Sequence, residues 1–113
     1  MQIQQNKLGD DGAQLIAEGI KWTKSIIKLN ISANEIYERG AVHLFEALES
    51  NESIVDFTIG STNWMFKNKI GPNGVFPLWS LLMNNQVLTF LNISGCSIAD
   101  EGLDHVIQGL IYN

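Results

Sequence analysis

The chain has 113 residues, 45% hydrophobic and 17% charged, which is enough apolar material for one core and excludes a disordered segment. Seven Lys and Arg against twelve Asp and Glu give a net charge of −5 with no basic stripe to neutralise phosphates, so neither nucleic acid nor an anionic membrane is expected as a partner. No apolar run approaches the ~18 residues of a membrane span, and the start MQIQQNKLGDDG lacks the apolar stretch of a signal peptide, so an intracellular, cytoplasmic location is expected.

The chain repeats itself. Asn6, Asn34, Asn68 and Cys96 each open the pattern N/C-x-(L/I)-x-x-x-G, closed by Gly12, Gly40, Gly74 and Gly102, and they lie 28, 34 and 28 positions apart. One domain over 1–113 is expected, divided into a partial unit 1–25, a full unit 26–53, a unit 54–87 with a six-residue insertion, and a unit 88–113. In the first unit Met1 and Ile3 hold the last two strand positions, and Ile16 and Ile20 with Ala13 and Ala17 mark one helical face. The second unit has a strand with Ile26, Leu29 and Ile31, then a helix with Leu44, Leu48, Ala41 and Phe45. The third has Ile54, Phe57 and Ile59, the insertion within 61–67, then Leu78, Leu82, Val75 and Trp79; the fourth has Leu88, Leu91 and Ile93, then Val106, Leu110, Leu103 and Ile107.

The second and fourth units read L-x-x-L-x-L-x-x-N/C-x-L. This pattern resembles the leucine-rich-repeat family, and the 28-residue period with a Gly-led helix is similar to its ribonuclease-inhibitor-like subtype. The resemblance implies an α/β fold, a short right-handed solenoid with a parallel sheet on its concave face and helices on its convex face, and a protein-interaction scaffold, the alternatives being a purely structural segment of a longer solenoid or the regulatory repeat region of a larger signalling protein or GTPase regulator. Alternation in IKLNIS sends Leu29 and Ile31 to the core and Lys28, Asn30 and Ser32 to the other face. The ladder residues Asn6, Asn34 and Asn68 are expected to satisfy backbone groups inside the core, with Cys96 a small buried side chain in the same slot. The glycine at each helix entry is expected to allow close packing. Asp10, Asp11, Asp100 and Glu101 precede or open helices and are expected to cap them.

No catalytic constellation is assembled: no Gly-x-Ser-x-Gly elbow, Walker loop or His-Glu-x-x-His pair is present, and the chain is read as a non-enzyme with no cofactor. A single cysteine and two histidines supply neither an internal disulfide nor an ordinary four-ligand zinc site, and His43 and His105, equivalent positions two units apart, are read as solvated. Asn30-Ile31-Ser32, Asn51-Glu52-Ser53 and Asn92-Ile93-Ser94 match the glycosylation sequon and are read as chance matches.

The candidate partner-binding residues fall in two groups. The concave face carries Lys28, Asp56 and Phe90 in one column and Asn30 and Asn92, with Gln2 and Thr58, in the next; Lys28 and Asp56 are expected to pair, and Phe90 is either an anchor or ordinary surface. The insertion brings Trp64, Met65 and Phe66 together, either to bind a partner or to fold back over the neighbouring units. Neither end shows the polar cap of a complete array, which implies a piece of a longer repeat protein or self-association through the ends.

Overall fold

The computed structural model describes residues 1–3, 6–60 and 68–96. Three helices alternate with three strands: α1 (Gly9–Trp22), β1 (Lys28–Asn30), α2 (Glu38–Ser50), β2 (Asp56–Thr58), α3 (Val75–Asn84) entered through a 3-10 turn at Pro72–Gly74, and β3 (Phe90–Asn92). The insertion residues, Asp100, Glu101, His105 and the helical pattern of the fourth unit lie outside the described residues, as does the Val75 side chain.

Strands joined through a helix have to run parallel, and they do so in the order β1-β2-β3. Register follows the repeat period, with Lys28 opposite Asp56, Leu29 opposite Phe57 and Asn30 opposite Thr58; Asp56, Phe57 and Thr58 face Phe90, Leu91 and Asn92 in turn. The partial first unit extends the sheet as the expected strand end: Gln2 bridges Asn30 in parallel, and the Ile3 amide donates to the Asn30 carbonyl at 3.0 Å.

Leu29, Phe57 and Leu91 point inward and meet Ala13, Ala17 and Ile20 of α1, Ala41, Leu44, Phe45 and Leu48 of α2 and Leu78 and Leu81 of α3 in one buried cluster. Burying each large aliphatic or aromatic side chain stabilises the fold by roughly 1.5–3 kcal/mol. Gly40 of α2 packs against α1. A Cβ there would lie 2.6 Å from Asp10 Oδ1 and 2.9 Å from the Ala13 Cβ, so the expected close packing at a helix entry is realised between repeats.

Trp79 departs from expectation. It occupies the α3 position that Phe45 holds in α2, yet it is 39% exposed where Phe45 is fully buried. Glu49 of α2 accepts hydrogen bonds from Ser80 and Asn84 of α3, which fixes the side of each helix that turns toward the following unit. Phe45, four positions before Glu49, lies on that side of α2. Phe76 and Met83 share this side of α3 and are exposed with it.

Candidate functional site

The site grows out of how each strand is ended. Asn34 is fully buried; its Nδ2 donates to the carbonyls of Ile3, Ile31 and Ser32, while its Oδ1 accepts from the Asn6 amide at 2.7 Å. Asn68 repeats this one unit on, donating to the Ile31 and Ile59 carbonyls and accepting from the Asn34 and Ile36 amides, each at 2.9 Å. Each ladder amide therefore ties its own strand exit to the preceding unit, in a core where unpaired backbone groups are costly. Asn6 departs from this pattern: it is exposed and its Nδ2 donates to the Ile3 carbonyl of its own unit. Cys96 takes the slot as expected, with a fully buried thiol and a carbonyl that accepts from the Ile70 amide at 2.7 Å.

The capping acids also act between repeats. Asp10 does not cap α1, whose N-terminus has no side-chain cap; its Oδ1 accepts from the Tyr37 and Gly40 amides at the start of α2, at 2.7 and 3.0 Å. Glu38, 28 positions later, accepts in the same way from the Asn73 amide and side chain ahead of α3. Asp11 reaches across as well, pairing with Arg39 at 2.7 Å.

A second set of polar residues, missed by the sequence reading, turns each helix into the next strand. Thr23 Oγ1 accepts from the Ser25 and Ile26 amides, Asn51 Oδ1 from Ser53 and Ile54, and Asn85 Oδ1 from Val87 and Leu88. The asparagine amides donate backward, Asn51 to the Ile20 carbonyl and Asn85 to that of Leu48. The signal was present: these residues stand eleven positions after Gly12, Gly40 and Gly74.

On this frame the sheet presents two rows in register on the face expected to be concave. Lys28, Asp56 and Phe90 form one; Asn30, Thr58 and Asn92 form the other. Neighbouring strands lie about 4.8 Å apart, so each row crosses roughly 10 Å of surface. Lys28 is exposed, and the other five are half-buried. Lys28 and Asp56 are neighbours, but the expected ion pair does not form: the two among the described residues are Lys21–Glu18 and Arg39–Asp11. Asn30 Oδ1 accepts from the Ser32 amide and hydroxyl, at 3.0 and 2.8 Å, and Asn92 holds Ser94 in the same way. Those bonds orient the Asn30 amide group as a fixed donor on the face. Asn51 accepts from the Ser53 amide in the same geometry. The structure thus brings Lys28, Asn30, Asp56, Phe90 and Asn92 onto one face, while Trp64, Met65 and Phe66 lie outside the described residues.

Among the described residues no cluster of three or more His, Cys, Asp and Glu is placed to hold a metal, and no helix is long and apolar enough to cross a membrane. Fixed donors, one cation, one carboxylate and one aromatic ring on a sheet face can contact another macromolecule, and they assemble neither a nucleophile with its base nor an oxyanion site.

A family model described as "Leucine Rich repeat" matches residues 2–17 and 84–104. RAN GTPase-activating protein 2 of Arabidopsis thaliana is 26% identical over 101 residues, which are 89% of this chain and 18% of that protein. Among solved structures the chain is similar to "Leiomodin-1 Actin-Binding Site 2 (ABS2)", with a TM-score of 0.71 and 21% identity, over 94% of this chain and 57% of the other; at that identity the likeness shows the fold alone.

Proposed function

We propose that this leucine-rich-repeat protein is a non-enzymatic protein-interaction module whose concave sheet face holds the partner. The observation that carries the reading is the pair of in-register rows, Lys28–Asp56–Phe90 and Asn30–Thr58–Asn92, on a sheet clamped from behind by the two sets of inter-repeat amides. Such a surface is preorganised, so binding does not carry the cost of ordering it. The test is affinity capture from a lysate of the source cells, comparing the wild-type chain with Asp56→Lys/Phe90→Ala and with Trp64→Ala/Phe66→Ala, all matched by circular dichroism. Loss with the first variant assigns the concave face, and loss with the second assigns the insertion loop. A partner retained equally by both sinks the reading.

The same proposal takes the solenoid as right-handed, of the 28-residue ribonuclease-inhibitor-like subtype, and divided into units 1–25, 26–53, 54–87 and 88–113. It also takes the chain as a section of a longer intracellular repeat array. Leu15 on α1 and Phe76 and Met83 on α3 are exposed apolar residues that further chain, a neighbouring repeat or another copy would cover.

One further observation, the 26% identity to a Ran GTPase-activating protein over 101 residues, favours a second reading as the repeat region of a GTPase regulator. The chain spans only 18% of that protein, so the reading predicts binding of Ran without requiring stimulation of hydrolysis by this segment alone. Capture of Ran loaded with a non-hydrolysable GTP analogue is the expected result; no capture at tens of micromolar removes the reading.

A further inference from the structure

Of the seven Lys and Arg residues in this net −5 chain, three fall within eight positions, Lys21, Lys24 and Lys28. The first two lie beside Trp22, which is 81% exposed at the end of α1. They form one lip of a groove of about 500 Å³ where the helix-to-strand turns of the first two repeats meet, with Ser50, Asn51 and Glu52 on the other lip.

A groove of the same origin and similar size, about 540 Å³, lies between the second and third repeats. There the corresponding positions hold Glu49, Glu52, Asn85 and Gln86, with no cation and no aromatic ring. The repeat geometry that makes both grooves therefore does not account for the lysines and the tryptophan of the first. The polar groups at its floor are already engaged: Asn51 Nδ2 donates to the Ile20 carbonyl and Ser53 Oγ to that of Thr23. The ammonium groups remain. Lys21 is held only by an exposed bond to Glu18 at 3.2 Å, a contact that contributes little and exchanges readily, and Lys24 makes no ion pair among the described residues.

We propose that this groove docks an acidic peptide segment of a partner protein, an apolar or aromatic side chain of the peptide packing on Trp22 and its flanking carboxylates meeting Lys24 and Lys21. Tryptophan is the side chain that most often anchors an interface, and charge on the peptide opposite to that of the lysines supplies steering and register. Glu52 opposes the lysines from the far lip and limits affinity. The surface lies on the helix-to-strand edge and does not depend on the concave face acting as a site.

The experiment is fluorescence anisotropy with the whole chain and a fluorescein-labelled peptide of sequence Phe-Glu-Glu-Phe-Glu-Glu, with Phe-Gln-Gln-Phe-Gln-Gln as the neutral probe. The acidic peptide is expected to bind, and Lys24→Glu and Trp22→Ala are each expected to weaken it about tenfold. Glu52→Gln is expected to tighten binding several-fold, a gain that damage to the fold does not produce. Lys69→Glu, a matched charge change on the opposite edge, is expected to leave binding within about twofold. The proposal is overturned if the acidic peptide fails to bind, if the neutral peptide binds as well, or if Lys69→Glu weakens binding as much as Lys24→Glu. It is also overturned if light scattering shows a dimer that Trp22→Ala abolishes, which would assign the groove to a second copy of the chain.

Discussion

Replacing Asn68 with Ala isolates what the ladder contributes. The side chain is 2% exposed and makes four hydrogen bonds, accepting from the Asn34 and Ile36 amides and donating to the Ile31 and Ile59 carbonyls. Ile31 keeps a partner, because Asn34 Nδ2 also donates to its carbonyl at 3.0 Å. The two amides and the Ile59 carbonyl lose their side-chain partner in a site closed to bulk water. Leaving a buried polar group unsatisfied costs about 1–3 kcal/mol, so Asn68→Ala is expected to destabilise by about 3–6 kcal/mol after partial relaxation. A domain of this kind has about 5–15 kcal/mol in total, so the effect is a large shift of the urea midpoint or outright unfolding. Asn6→Ala is the matched control, because Asn6 holds the same repeat position but is exposed, and about 0.5 kcal/mol or less is expected. Circular dichroism across a urea series measures both. A loss below about 1 kcal/mol at Asn68, or equal losses at the two positions, would refute the reasoning that the amides act by satisfying buried backbone.

Gly40→Ala is expected to cost about 1–3 kcal/mol, because the added methyl meets Asp10 and Ala13 at under 3 Å. Gly19→Ala, in the same fold but with nothing within 4 Å of the added atom, is expected to stabilise α1 by about 0.5–1 kcal/mol; thermal melts distinguish the signs. Asp10→Ala removes the acceptor for two amides at the start of α2 and is expected to cost about 0.5–2 kcal/mol, with Asp10→Asn recovering most of it, as read by urea midpoints. Asp56→Lys/Phe90→Ala changes a face whose residues are not fully buried and is expected to stay within about 1 kcal/mol of wild type while losing the captured partner, so stability and binding are read on the same sample.

The repeat was legible because its positions recur at fixed spacing. Four-residue steps marked the buried face of the described helices, alternation separated Leu29 from Lys28 and Asn30, and the common frame by itself placed Lys28 beside Asp56 and Asp56 beside Phe90. The in-register rows of the sheet, the buried asparagines Asn34 and Asn68 and the buried Cys96 all follow from that periodicity. The second polar set at Thr23, Asn51 and Asn85 recurs as regularly, but apolar periodicity does not select it, because its role is to bond backbone and it leaves no hydrophobic stripe.

Other features were decided only when the units stacked. Asp10 opens α1 in sequence and caps α2 in space, Arg39 pairs with Asp11 of the preceding unit, and Lys28 stays unpaired with Asp56 although the two are adjacent in register. Trp79 and Phe45 hold one repeat position, yet the first is 39% exposed and the second fully buried. Sequence spacing encodes geometry within a unit through bonded distances, so the apolar faces could be read directly, and strand register followed from the constant period. Contacts between units depend on the offset and rotation of one unit against the next, which are set by how glycines such as Gly40 let the helices approach, and that offset exists only in the folded stack.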